Sequence, residues 1–282
     1  MNTSKITGLF IYPVKSMKGI ALNQAKLTSK GLKHDRSWMV VRENGRFVTQ
    51  REIPQMALVH TDLSQSGLVL SMPGHGSINI PMDSFDGNET VVKVWGDVCR
   101  AMDQGDTTSR WLTRALGSED SLRPVRMNPG FKRPQRKPDI LGEDTSTGFA
   151  DASPFLLANE ASLERLNSVL KSNALQRVPM DRFRPNIVVQ GLEPFAEHKL
   201  AGLSGKNYQF KLCAPCQRCV ITTINQETAE KDLHGQPFKT LQNINPMPAN
   251  KNAPAFAQYA ILSNGNRQYI SVGDQLSALV EL

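Results

Sequence analysis

No stretch of this 282-residue chain approaches 18 uninterrupted apolar residues, which excludes a helical membrane span. Aromatic residues are scarce at 6%, too few to line a platform for single-stranded nucleic acid. No glycine-rich phosphate loop of the Walker type is present. The opening MNTSKITGLFIYP lacks the charged start, long apolar middle and small-residue cleavage site of a secretory signal. A cytoplasmic location is the expectation. Only four cysteines occur, and three of them, Cys213, Cys216 and Cys219, fall within seven residues. That crowding excludes a disulfide framework and reads as metal-binding or catalytic.

The net charge of +7 is unevenly placed. Residues 121–138 carry Arg123, Arg126, Lys132, Arg133, Arg136 and Lys137 with no acid, and four prolines interrupt them. A loop is expected here. It is either a solvated connection between domains or a surface for an acidic partner.

The first hundred residues divide into short runs rich in β-branched side chains: ITGLFIYPV, QAKLTSK, RSWMVVREN, RFVTQR, MALVHTDL, GLVLSM, SINIPM and TVVKVWG. Asn44-Gly45 between two of them predicts a hairpin. A helix is expected over about 106–116 with Asp106 as its cap, and a second after Asn159 with Leu163, Leu166 and Leu170 at helical spacing. PFLLAN, FRPNIVVQ, NYQFKLC, CVITTIN, FAQYAILSN and QLSALVEL read as strands, and PFKTLQNI as a short helix. The fold expected is mainly β with some helices.

Chemistry concentrates in Cys213-Ala-Pro-Cys216-Gln-Arg218-Cys219. A structural zinc would need a fourth ligand, and only His234 is near in sequence. An iron–sulfur site would have to reach back to Cys99. Buried inert thiols are the third option. Against these, Arg218 beside Cys219 favours a thiolate. Lys15 and Ser16 sit on a turn after Tyr12-Pro13 and could hold a phosphate or simply face solvent. Asp35-Arg36 and Asp181-Arg182-Phe183-Arg184-Pro185-Asn186 each place arginine at a strand start. There it could bind an anion or pair with its own Asp. Asp151 and Ser153 precede a buried strand.

In order, YPVKSMKG, HDRSWMVV, FADASPFLLANEASL, DRFRPNIVV, CAPCQRCVITTIN and a late VGD resemble the MOSC-domain proteins with an N-terminal MOSC-type β-barrel. The chain is most similar to bacterial YcbX-like proteins and the mitochondrial amidoxime-reducing component. The resemblance runs from Ile6 to about Leu276. It implies a barrel domain over 1–120 and a MOSC domain over 121–282, with the first strand packing on the second.

It further implies a pterin-based molybdenum cofactor between them. Cys219 would be the metal ligand, and Lys15, Ser16, Arg36, Arg184, Asn186 and Arg218 would bind the cofactor. Asp151 corresponds to an acidic residue beside the substrate pocket. The implied reaction reduces N-hydroxylated small molecules (amidoximes, N-hydroxylated bases, hydroxylamines) with two electrons and two protons. No plant-type ferredoxin run C-x4-C-x2-C is present, so a separate electron-donor protein is expected, with the basic 121–138 stretch as its docking loop. No nucleic acid and no membrane partner are expected. Two other functions stay open on the residues alone: a sulfur carrier or cofactor-delivery protein working through a cysteine persulfide, and a metal-stapled nucleic-acid-binding module.

Overall fold

A computed structural model describes residues 3–82 and 88–279. Strands hold 39% of the residues and helices 19%, the mainly-β class expected. Among the described residues, no helix is long and apolar enough to cross a membrane.

Seven strands close into a barrel. In spatial order they are Ile187–Gln190, Phe155–Asn159, Ala255–Asn264, Gln209–Gln217, Gly202–Ser204, Gln275–Leu279 and Thr3–Ile11, and the last pairs back with the first. Every neighbour is antiparallel except Phe155–Asn159 with Ile187–Gln190. The first strand thus pairs only with partners from the second half of the chain and with Ile20–Leu22. Its alternation explains how it fits. Ser4 and Ile6 point inward, a bulge falls between Ile6 and Gly8, and Leu9 and Ile11 then resume the inward phase. The barrel interior is filled by these residues with Phe155, Leu157 and Phe210, the two rings meeting edge to face at 5.1 Å. Residues 280–282 of the expected QLSALVEL strand lie outside the described residues.

The first half builds two smaller sheets. One orders Trp38–Arg42, Leu122–Met127, Asp97–Asp103 and Glu89–Val94; the other orders His60–Leu63, Gly67–Met72 and Gly76–Pro81. The helix Asp106–Ala115 buries Trp111 and Leu112 against Trp38, Met56 and Leu68. Its cap is Gly105, one residue before the expected Asp106, which instead puts its carboxylate in the first turn. The second long helix, Glu160–Ser172, is capped as expected: the Asn159 side chain accepts from Ala161 N–H.

Four expectations are corrected. RFVTQR is no strand; Phe47 makes an isolated bridge to Val41, and a turn follows the Asn44-Gly45 hairpin. Residues 122–127 are a strand rather than loop, and Asp97–Asp103 is a strand that the charges at Asp97, Arg100 and Asp103 had hidden. CVITTIN winds into a 3-10 turn over Val220–Thr223, because the Thr222 and Thr223 hydroxyls donate back to the Cys219 and Val220 carbonyls. Arg182 and Arg184 are not at a strand start: Met180–Phe183 is a 3-10 turn that Arg184 ends in the left-handed region, and the strand starts at Ile187.

The turn His34–Arg36 leads into the edge strand Trp38–Arg42, and His34 is half-buried against Trp38, ring centroids 6.4 Å apart. Burial, with Lys33 and Arg126 nearby, pushes its pKa down to about 4. The unfolded chain therefore takes up this proton near pH 6.5 and the folded chain only near 4. Stability contributed by neutral His34 is full above about 6.5 and is lost as pH falls towards 4, on the order of 2 kcal/mol. Denaturant titrations at pH 7 and pH 4.5 should show this loss, and His34→Gln should reduce it; an unchanged slope in the variant counts against His34.

Candidate functional site

The eight residues that the resemblance implied for the site line one cleft: Lys15, Ser16, Arg36, Asp151, Arg184, Asn186, Arg218 and Cys219. It measures about 820 Å3 including its open mouth, and Cys216 and Tyr259 also line it. The barrel presents Arg184 and Asn186 just before Ile187–Gln190, Asp151 just before Phe155–Asn159, and Arg218 with Cys219 just after Gln209–Gln217. Lys15 and Ser16 follow the first strand and are held by the first half of the chain. Lys15 N–H donates to the Trp38 carbonyl, and the Gln50 side chain donates to the Ser16 carbonyl. Gln50 and Gln226 exchange reciprocal buried amide bonds of 3.0 and 3.1 Å, tying the two halves together beneath the site.

Three of the eight, Ser16, Arg36 and Arg184, have φ of 67°, 43° and 54°. Left-handed backbone at a non-glycine residue costs about 1–3 kcal/mol and gathers where geometry serves function. Gly148 enforces part of it: a Cβ there would stand 2.5 Å from the Arg36 carbonyl oxygen, which accepts from Phe149 N–H at 2.7 Å.

The electrostatics form two groups. In the first, Arg36 and Arg184 place their guanidinium groups 4.2 Å from the buried Tyr12 ring centroid. Burial pushes the Tyr12 hydroxyl up to about 12 and draws Arg184 down to about 10. Asp35 supplies the counter-charge: both its oxygens lie 2.7 Å from Arg36 Nη1, and Oδ1 accepts Tyr12 N–H at 2.8 Å. Of the two readings left open for Arg36, the salt bridge to its own Asp is thus present, and the same arginine still lines the cleft. Asn186 is committed to backbone, donating to the Phe10 carbonyl and accepting from Leu156 N–H.

In the second group, Lys15 Nζ donates to Asp151 Oδ1 at 2.5 Å and to the Phe149 carbonyl at 3.0 Å. Burial lowers the Lys15 pKa, with Asp151 opposing. Burial likewise opposes ionisation of Asp151, but Lys15, Trp95 and Arg51 outweigh it and hold the carboxyl well below the usual carboxylate range. Its side chain is 57% exposed against 8% for Lys15, so the pair sits with its anion facing the cleft mouth.

The sulfurs differ. Cys216 is buried and accepts from Arg218 Nη1 at 2.9 Å; Tyr259, raised well above its ordinary pKa by this sulfur and by burial, adjoins it. Cys219 is half-buried and accepts from Arg51 Nη2 at 3.0 Å. Cys213 does not line the cleft, and Cys99 packs in the core beside Val92 and Val125 with its thiol pushed up by burial. Among the described residues, no three His, Cys, Asp or Glu side chains gather to cage a metal ion, so neither the zinc nor the iron–sulfur arrangement is formed by side chains alone.

Sequence reasoning passed over Arg51 and Trp95. Arg51 stacks on Trp95 at 5.0 Å, and Trp95 Nε1 donates to Asp151 Oδ1 at 3.0 Å. Neither belongs to a motif; each reaches the cleft from the first half of the chain. The basic stretch is also corrected. Arg123 pairs with Asp103 and Asp106, Lys132 with Asp144, and Arg133 and Arg136 with Asp97, while Arg126 stacks on Trp38 and Lys137 on Tyr259. Arg133 is 2% exposed. Arg123, Arg126 and Arg133 thus bind within the first half, Lys137 reaches the second, and Lys132 and Arg136 keep exposed side chains.

What this cleft would accept follows from its donors. Two buried guanidinium nitrogens of lining residues, Arg184 Nη2 and Arg218 Nε, lack a hydrogen-bond partner. Four lining cations face one lining acid. An anionic, acceptor-rich group beside a half-buried sulfur satisfies both.

Residues 3–119 match the family described as MOSC N-terminal beta barrel domain, and residues 144–277 the MOSC domain. The chain is 31% identical to the human protein named mitochondrial amidoxime-reducing component 1, over 97% of this chain and 82% of that one. It is 32% identical to the Xenopus laevis protein of the same name, over 90% and 76%. With bovine mitochondrial amidoxime reducing component 2 it shares 30%, over 98% and 83%. With both halves matched in order and such relatives aligned over most of their length, the chain belongs to the MOSC-domain family that includes the amidoxime-reducing components.

Proposed function

We propose that this protein is a molybdenum-cofactor oxidoreductase that reduces N-hydroxylated compounds with electrons from a separate redox protein. The observation that carries the reading is the pair of unpartnered buried guanidinium nitrogens, Arg184 Nη2 and Arg218 Nε, beside the half-buried Cys219 sulfur. The names of the relatives support the substrate class. Cys219 would ligate the metal, since thiolate suits a soft metal–sulfur centre. Arg36, Arg184 and Arg218, with Lys15 and Ser16, would hold the pterin and its phosphate. Asn186 would act by tying the strand that leads to Lys15 and Ser16 to the strand that follows Asp151. When bound, the cofactor supplies the two-electron chemistry.

The reaction R–C(NH2)=N–OH + 2 e− + 2 H+ → R–C(NH2)=NH + H2O consumes two protons. Asp151 is ionised at neutral pH, so its role is to orient Lys15 and accept a hydrogen bond from substrate. Lys15, with a pKa drawn down by burial, carries the proton of the pair. Arg51 donates to Cys219 from the first half of the chain and would fix the sulfur's orientation.

The first-half unit is taken as 1–120 and the MOSC unit as 121–282. The strand Thr3–Ile11 belongs structurally with the latter and Leu122–Met127 with the former. Four free cysteines fit a reducing, cytoplasmic setting.

The test is elemental analysis and reduction of benzamidoxime with a chemical reductant, on protein from a host that makes the pterin cofactor. About one molybdenum per chain with amidine formation supports the reading. A cysteine persulfide without molybdenum would overturn it in favour of a sulfur carrier.

A further inference from the structure

Arg51 and Trp95 bond to Cys219 and Asp151 on one side, and on the other they line a second cavity, an open groove of about 1460 Å3 including its mouth. Its cations are Arg46, Arg51, Lys93 and Arg136, and the acid lining it is Glu52, 3.6 and 3.7 Å from Arg42 and Arg46. Arg46 and Lys93 are adjacent through a backbone bridge. Arg136 is 41% exposed, and its Nη2 lies 3.8 Å from where a Gly96 Cβ would stand, beside the tip of the hairpin that carries Trp95. Phe47 and Trp95 meet edge to face at 5.0 Å.

Trp95 is built in an unusual way. Val94 pairs with Asp97, so Trp95-Gly96 is a two-residue hairpin turn. In such turns glycine ordinarily takes the first position when φ is positive there. Here tryptophan holds it with φ of 56°. A bulky residue in that region is an outlier, kept in place by Asp151, Arg51 and Phe47. The result is an indole 42% exposed, while Trp38 and Trp111 are buried at 0% and 6%.

We propose that this groove receives the body of the substrate and selects flat aromatic N-hydroxylated compounds carrying an anionic substituent, carboxylate or phosphate. The ring stacks on Trp95, the N–O group passes Arg51 towards Cys219, and the anion meets Lys93, Arg136 and Arg46. The inference rests on the reductase reading for its N–O end. The aromatic-anion end stands on the groove alone.

The experiment therefore has two arms. Metal-free protein is titrated with benzamidoxime and its 4-carboxy, 4-phosphono and 4-aminomethyl derivatives, following tryptophan fluorescence, with the Trp95 signal taken as the difference between wild type and Trp95→Phe. The carboxy and phosphono compounds should bind about tenfold tighter than benzamidoxime, and less so in high salt. The aminomethyl compound should bind more weakly. The two anionic arms rank carboxylate against phosphate. Lys93→Glu with Arg136→Glu should reverse the order, and Trp95→Phe should abolish the quench. Equal binding of all four, or an order unchanged by charge reversal, overturns the proposal. In the second arm, loaded enzyme should show the same order in kcat/KM. If it reduces none of the four, the reductase reading fails while the binding order still decides the groove.

Discussion

Cys219→Ala is expected to purify folded, without molybdenum, and with reductase activity at about the background rate. The side chain is half-buried at the cleft and takes one side-chain hydrogen bond, from Arg51, so its removal leaves a small hole rather than a broken core. Cys216→Ala makes the contrast. That sulfur is buried between Arg218 and Tyr259, and truncating it should loosen the guanidinium that would hold the proposed cofactor. Metal should be retained in part and activity should fall by about tenfold, the effect of one lost charge-assisted hydrogen bond. Metal content and kcat/KM on the two variants decide the assignment. Equal loss in both would mean that the sulfurs act together and that Cys219 is not the sole ligand.

Asp35→Ala should destabilise the protein by about 3–5 kcal/mol, lowering the melting temperature by about 10 °C. Asp35 is buried and bound by Arg36 and by Tyr12 N–H, and it is the anion beside a ring flanked by two guanidinium groups. Without it Arg36 and Arg184, both against Tyr12, lose a counter-charge, and Asp181 alone remains near Arg184. Asp35→Asn keeps an acceptor for Tyr12 N–H and should lose less. Thermal and urea unfolding measure both. A loss below about 1 kcal/mol in the alanine variant would show that the two charges are already relieved by water from the cleft.

What the sequence disclosed and what it withheld follow one physical division. The barrel was legible because its strands are short apolar runs: all but one residue of Phe155–Asn159 is buried, and FAQYAILSN buries Phe256, Ala257, Gln258 and Ala260 before its end turns outward. The cleft residues were legible because they sit in short polar motifs at the ends of those strands. Strand-like composition misled at Val220–Thr223, where two threonine hydroxyls satisfy the backbone locally. Proline misled at Leu122–Met127: Pro124 contributes its carbonyl, which accepts from Gln104 N–H, and the strand tolerates the missing donor. Arg51 and Trp95 gave no signal at all. Their contacts to Cys219 and Asp151 span the chain, and nothing in their neighbours' spacing marks them.

The closing of the barrel bears on how the chain comes to exist. Thr3 pairs with Ser277 and Lys5 with Gln275, so the strand made first waits for the strand made almost last. At ribosomal speeds of about 5–20 residues per second, that wait is on the order of tens of seconds. Until Ile187–Gln190 is made, Ile6 has no partner strand and Leu9 and Ile11 have only Ile20–Leu22, and the barrel interior that their apolar face fills is incomplete to the end. The nascent chain must shield that face, and slow non-local closure of this kind is the stage at which chaperones and aggregation compete for it.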